Sequence, residues 1–570
     1  MRVQKILKNL FPQGTVGGKR GISSCPVWPV DLFAATATVM ELSGTYTLAT
    51  DLMADQGLHR LYLDKVCAIS RKWIDDPLTV PAEAQRLWKD VVSGLGPVEV
   101  SEVGGSPAWQ SLMILFAVAD DVCAGIGWGM STERETFFVA LALHALGADY
   151  HRNAKVLPYA PHSLCLHVPD DRAVVLPKSI ASSVGCTIRS LSHNLALLPA
   201  VSSVRATWQL GGKKDTGTAD TRACIRLLVL PYPFSIPTDS VVRCGTHASS
   251  GVTPPEYFDL EQKWLEPKAG AAITAQTFFH ELLRPLLDRA REECEAPIHG
   301  VVIPECALSE KISDDLSKIL SGVANDYGIE FFIVGVLGGA SKDKVHTKFK
   351  RVRNLAKTIV FSDGPKGPGA VTVTHAKHHR WCLDKSQVAR YRFEKLLPSN
   401  GARWWENIDV SRRELPFVAV RRDVSLSVLI CEDLARSDPA MPVIRAIGPN
   451  LLIALLMDGP QLASRWPGRY AMGLADDPGS SVLTVTCAGM VDRSNESESA
   501  PKRVIGLWRD ASGQTREIHL PKGALGVVLS LQPIEDEQRT MDNRSDNKTT
   551  TRLELFGSHA VTVDSVPKWV

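Results

Sequence analysis

Three residues with a shared chemical logic close apolar runs in the second half of the chain. Glu305 follows Pro304 at the end of GVVIPE, Lys377 lies in VTHAKHHRW, and Cys431 ends the run SLSVLI in the string ICEDLAR. A cysteine is a strong nucleophile only as its thiolate, so it needs a base or a cation beside it. A carboxylate supplies proton removal, and a lysine stabilises negative charge developing on an attacked carbonyl oxygen. Together the three make an acyl-transfer site. Singly, each has a plainer reading: a buried strand cysteine, a turn acid and a solvated loop base. The chain holds 12 cysteines, scattered without a CxxC pair. That pattern suits small buried hydrophobes in a reducing compartment rather than a disulfide scaffold or zinc ribbon.

The elements that must position these residues are legible as a change of texture. From about Asp31 to Leu146 the apolar residues recur at helical spacing, as in DLFAATATVMELSG, AEAQRLWKDVVSGL, SPAWQSLMILFAVADD and ERETFFVALALHAL. Residues 31–215 therefore read as a mostly helical module, behind a loose basic leader over 1–30 that carries Lys5, Lys8, Lys19 and Arg20. From Arg222 buried-strand runs alternate with amphipathic helices: RACIRLLVLPYPF, TAQTFFHELLRPLLDRAREE, HGVVIPECAL, SDDLSKILSGVANDYG, EFFIVGVLGG. Such alternation predicts a layered α/β domain over residues 222–535. The polar stretch after it, EDEQRTMDNRSDNKTTT, reads as a flexible tail over 536–570.

At Glu305, Lys377 and Cys431 the sequence resembles the carbon–nitrogen hydrolase, or nitrilase, superfamily. The order and the separations of 72 and 54 residues match, and Asp433 fits that family's C-x-[DE] turn. The string ICEDLA is similar to the glutaminase domains attached to NAD synthetases. The segment NLLIALLMDGPQLASRWPGRYAMGLADDPGSSVLTVTCAGM resembles the family's strand, loop, Arg-containing helix and closing strand, with Arg469 on that helix. The resemblance covers about residues 222–535. It implies a four-layer αββα sandwich in which Glu305 is the general base, Cys431 the nucleophile and Lys377 the oxyanion stabiliser, aided by a backbone N–H near Glu432. It further implies hydrolysis of an amide or nitrile through a cysteine thioester, and a homo-oligomer. Two departures stand out. The family's second glutamate, seven or eight residues after the lysine, is here Asp384, with Glu394 and Glu406 as alternatives. Glu432 also stands where many members carry an aromatic residue.

Competing signals are weaker. His375, His378 and His379 invite a metal reading, but no second cluster at a zinc spacing accompanies them, so neither metal nor cofactor is expected. Asp120 and Asp121 form an acidic pair in a helix-periodic window, which does not suit polymerase chemistry. The segment SKDKVHTKFKRVR holds Lys342, Lys344, Lys348, Lys350, Arg351 and Arg353, a basic patch that would attract a phosphate, a nucleic-acid backbone or an acidic partner. No P-loop and no dinucleotide fingerprint is present.

Composition bounds what remains. In 570 residues, 64 Lys plus Arg against 62 Asp plus Glu leave a formal charge of +2, so no global field selects nucleic acid or anionic membrane. A hydrophobic share of 44% excludes a mostly disordered chain, and no apolar run reaches a membrane span. The expected setting is the cytoplasm. The alternative to a hydrolase is a catalytically silent or conditionally active nitrilase-like scaffold. It would bind a protein or nucleic acid through the helical module or the basic loop, in the manner of nitrilase-like domains fused to reverse transcriptases in phage defence.

Overall fold

The computed structural model describes residues 1–15, 21–124, 159–160, 163–179, 181, 185–200, 204–210, 224–244, 256–266, 272–338, 351–364, 367–398, 403–421, 423–496 and 498–570. Period-two burial builds its centre. Leu227 and Val229 of the strand Ile225–Val229 face one core, while Leu228 faces another on the opposite side. The first core lies between two sheets. One, of eight strands, runs Tyr159–Ala160, Arg205–Leu210, Glu414–Arg421, Val424–Ile430, Leu451–Leu456, Ser481–Thr486, Val504–Arg509, Thr515–His519. The other, of seven, runs Gly367–Ala376, Arg353–Gly364, Phe331–Gly338, Gly300–Ser309, Ile225–Val229, Gly526–Arg539, Ser545–Val561.

Between them Val302, Ile333 and Val360 meet Val418, Val428 and Ile453. On the outer face of the seven-stranded sheet, Leu286 of the helix Arg284–Cys294 and Leu316 and Leu320 of the helix Glu310–Tyr327 cover Val301, Ile303 and Phe332. Ile444 of Ala440–Ile447 and Leu474 of Trp466–Asp476 pack with the eight-stranded sheet. Each sheet thus has both faces buried, the layered α/β arrangement expected from the alternation of strands and helices, in the four-layer αββα form that the resemblance implies.

Three boundaries differ from the sequence reading. The leader over 1–30 is not loose: Val3–Leu10 is a helix whose Val3, Ile6, Leu7 and Leu10 are buried, an i, i+3, i+4, i+7 stripe that leaves Lys5 and Lys8 on the exposed side. Sandwich strands begin before residue 222, because Arg205–Leu210 pairs in parallel with Glu414–Arg421. The 536–570 segment is not a free tail. Ser545–Val561 pairs antiparallel with Gly526–Arg539, and within the polar TTTRLELFG the alternating Leu553 and Leu555 point into the core.

The helical module has its own core around Phe33, Trp73, Trp88 and Phe116. The expected helix over ERETFFVALALHAL lies outside the described residues. Asp120 accepts backbone N–H bonds from His193, Asn194 and Leu195, and Asp121 pairs with Arg544 of the C-terminal hairpin. The acidic pair is therefore structural, tying the module to the sandwich. No helix among the described residues is long and apolar enough to cross a membrane.

Candidate active site

Glu305 owes its position to a distortion of its strand. The pairing of Gly300–Ser309 with Phe331–Gly338 shifts register between Ile303 and Leu308, and Cys306 takes a left-handed φ of 55°. Gly335 makes room for the bulge: a Cβ there would lie 2.1 Å from the Pro304 carbonyl oxygen and 2.4 Å from the Glu305 Cα. Lys377 comes directly after the strand Gly367–Ala376, its N–H donating to Asn354 O at 2.9 Å. Cys431 follows the fully buried strand Val424–Ile430 in the opposite sheet and opens the turn Cys431–Ala435 with φ 44°. A non-glycine residue held in that region is a strained feature typical of functional turns.

These elements bring Glu305, Lys377 and a second carboxylate into one buried network. Lys377 Nζ donates to Glu305 Oε1 and to Glu406 Oε2, each at 2.8 Å. Asn354 Nδ2 donates to Glu305 Oε1 at 2.8 Å and Glu406 Oε1 at 2.9 Å, and the Trp381 N–H reaches Glu406 Oε2 at 3.0 Å. Glu305, Glu406, Lys377 and Asn354 are all buried, yet Glu305 Oε2 has no hydrogen-bond partner among the described residues.

Burial raises the Glu305 carboxyl above its ordinary value, against the pull of Lys377. Burial also works against the Lys377 charge, but Glu305 and Glu406 outweigh it and hold the ammonium protonated. The Cys431 thiol, 3% exposed, is pushed well up by burial and by Glu305, with Lys377 opposing, so it rests as a thiol rather than a thiolate.

The other anticipated residues fall in different places. Asp384 is the N-cap of the helix Lys385–Arg390, accepting from Gln387 N at 2.8 Å, and makes no contact with Lys377. Its short side chain is taken up by the cap. Glu406, one of the two alternatives to Asp384, comes from the strand Trp404–Glu406 of a separate four-stranded sheet and bonds Lys377, whereas Glu394 is exposed. Asp433 accepts the backbone N–H groups of His378 and His379, joining the cysteine turn to the lysine turn. Glu432 pairs with Arg436.

Arg469 is exposed; the arginine that turns inward is Arg465, which with Tyr391 and Trp466 binds Asp458. In the basic segment, Lys342, Lys344, Lys348 and Lys350 lie outside the described residues. Arg351 bonds Asn407 and stacks over Tyr257, and Arg353 pairs with Asp409. Asn354 and Gly335 escaped the sequence reading.

Two clusters have the donor set for a cation, Glu305/Cys306/Glu406 and His375/His378/Asp433. In the first, the Lys377 ammonium already lies between the carboxylates.

Two facing sheets with flanking helices on their outer faces define the class of protein as a four-layer αββα sandwich. No family model matches the sequence, and neither does any curated protein. Solved structures of nitrilase-superfamily proteins resemble it in fold. Nit3 of Saccharomyces cerevisiae, a member of branch 10 of that superfamily, is 15% identical over 52% of this chain and 86% of its own, with a TM-score of 0.27. XC1258 of Xanthomonas campestris, a CN-hydrolase superfamily protein with an arsenic adduct in its active site, is 14% identical over 54% of this chain and 90% of its own, at 0.29. The NitFhit protein of C. elegans is 15% identical over 52% and 61%, also at 0.29.

Proposed function

We propose that the protein hydrolyses a non-peptide carbon–nitrogen bond, an amide or nitrile, with Cys431 as nucleophile, Glu305 as general base and Lys377 as oxyanion stabiliser. One observation carries this reading: the Lys377 ammonium is gripped at 2.8 Å by two buried carboxylates, one of which keeps an oxygen without a partner among the described residues, with the Cys431 thiol in their field. In the forward step Glu305 takes the thiol proton as sulfur attacks the acyl carbon. With an amide, negative charge collects on the carbonyl oxygen, where Lys377 meets it, and the amine leaves with the proton returned by Glu305; with a nitrile it collects on the nitrogen, and one water converts the resulting thioimidate to the thioester with release of ammonia. Water deprotonated by Glu305 then attacks the thioester and releases the acid, restoring the thiol. The raised Glu305 pKa suits a group that must accept a proton from a resting thiol.

The direct test is ammonia release across a panel of short amides and nitriles, with mass spectrometry of the trapped acyl-enzyme. Turnover that survives Cys431→Ala would end the nucleophile assignment. The burial of Cys431 favours a second reading, a silent nitrilase-like scaffold that binds a protein or nucleic-acid partner. That reading predicts no acyl-enzyme with any member of the panel.

A further inference from the structure

The lysine turn carries a second cluster that the hydrolase reading does not use. His375 and His378 flank Lys377, and Asp433 lies two residues past Cys431; each of the three is 1% exposed. One backbone carbonyl fixes both rings. Glu414 O lies 2.7 Å from His375 Nδ1 and 3.3 Å from His378 Nε2, and a carbonyl only accepts. In its neutral form each ring therefore places its N–H there and leaves a lone pair on its other nitrogen, His375 Nε2 or His378 Nδ1. Neither of those nitrogens has a hydrogen-bond partner among the described residues.

The lone pairs converge with a third donor. His375 Nε2 is 3.5 Å from Asp433 Oδ2, too long for a good hydrogen bond, and one ligand atom from each of the three residues lies within 4.8 Å of the others. Asp433 Oδ1 is occupied by the His378 and His379 N–H groups and by His379 Nδ1, all at 3.0–3.1 Å, whereas among the described residues Oδ2 receives only a shared bond from His378 N at 3.0 Å. Three buried electron-pair donors facing one another repel unless a cation lies between them. Tetrahedral zinc with bonds of about 2.0–2.1 Å puts its ligand atoms roughly 3.3 Å apart, close to the His375–Asp433 separation. Glu414 O supplies the outer hydrogen bonds that metal-bound imidazoles require.

We propose that His375, His378 and Asp433 form a divalent transition-metal site, zinc by ligand type, that clasps the turn bearing Lys377 to the turn bearing Cys431. Two imidazoles and one carboxylate favour zinc over magnesium or calcium, and water completes the shell. The role is positioning. The inference stands apart from the hydrolase reading, because it requires no chemistry at Cys431.

The test uses the full chain without a histidine tag, stripped with chelator and then titrated with zinc or cobalt(II). One equivalent retained through gel filtration, the intense visible absorption of tetrahedral cobalt(II) and a rise in Tm are expected. His375→Ala with His378→Ala should lose retention at least tenfold, while Cys431→Ser and Glu406→Gln keep it. Retention lost in Glu406→Gln instead would assign the metal to the Glu305/Cys306/Glu406 cluster and overturn the proposal, as would retention lost in Cys431→Ser or sub-stoichiometric retention by the native chain. If the double variant does not fold, imidazole 15N shifts on the native protein decide. Zinc-dependent movement of His375 Nε2 and His378 Nδ1 supports the site. An imidazolium at His375 that is unchanged by zinc means that a proton, not a metal, neutralises the cluster.

Discussion

Exchanging Glu406 for Gln tests the network around Lys377 at its most sensitive point. Three donors converge on the Glu406 carboxylate: Lys377 Nζ at 2.8 Å, Asn354 Nδ2 at 2.9 Å and Trp381 N at 3.0 Å. A carboxylate satisfies all three. Glutamine has one oxygen, so its amide must face at least one donor. At 2.8 Å and an effective dielectric of about 20, the lost attraction to Lys377 is about 6 kcal/mol gross. Desolvation relief and rearrangement leave about 1.5–3 kcal/mol, the usual net worth of a hydrogen bond to a charged group. Lys377 would then be aimed by Glu305 alone, and kcat/KM for ammonia release should fall roughly 10- to 100-fold. Asp384→Asn is the control. It retains a good N-cap and touches nothing in the network, so its rate should stay within about twofold, and Asp384→Ala should cost only about 1 kcal/mol of stability. A tenfold loss in Asp384→Asn with Glu406→Gln unchanged would refute the reasoning and return the role of second carboxylate to Asp384.

Further predictions follow from the same geometry. Glu305→Gln should lower turnover by about 10²–10⁴ yet speed iodoacetamide labelling of Cys431 near neutral pH, because Glu305 is one of the groups holding the thiol up and Lys377 is then less opposed. Labelling and turnover falling together would contradict this. Cys431→Ala should abolish turnover and leave the unfolding midpoint within a few degrees, since it removes one small buried group; large destabilisation would mean a structural role. Asp121, raised to about 7 mainly by burial against the pull of Arg544, favours its protonated form in the fold. Its contribution is present in full below the ordinary carboxylate range and is lost as pH rises through about 7. Tm should therefore fall between pH 5 and 7.5 more in the native chain than in Asp121→Asn, and equal slopes would rule Asp121 out as the cause.

Composition and pattern carried much of this. The order and spacing of Glu305, Lys377 and Cys431, each closing an apolar strand, sufficed to nominate a thiol site, and alternation of strands and helices sufficed for a layered α/β core. Patterns read one segment at a time, and there the reading met its limit. Glu305 and Lys377 belong to one sheet and Cys431 to the facing one, so only the packing of the two sheets joins them. The second carboxylate, Glu406, comes from a three-residue strand in a third sheet, too short to show a period, while the better-spaced Asp384 is consumed by a local cap that costs the chain nothing in long-range order. Val3–Leu10 and Ser545–Val561 looked polar on average because each buries only one face, and a partner surface is needed to tell which. The orientation of the His375 and His378 rings depends on one carbonyl, Glu414 O, brought in from 39 and 36 residues away. Residue type decides what chemistry a side chain can do; the distance at which it meets its partners is a property of the closed fold alone.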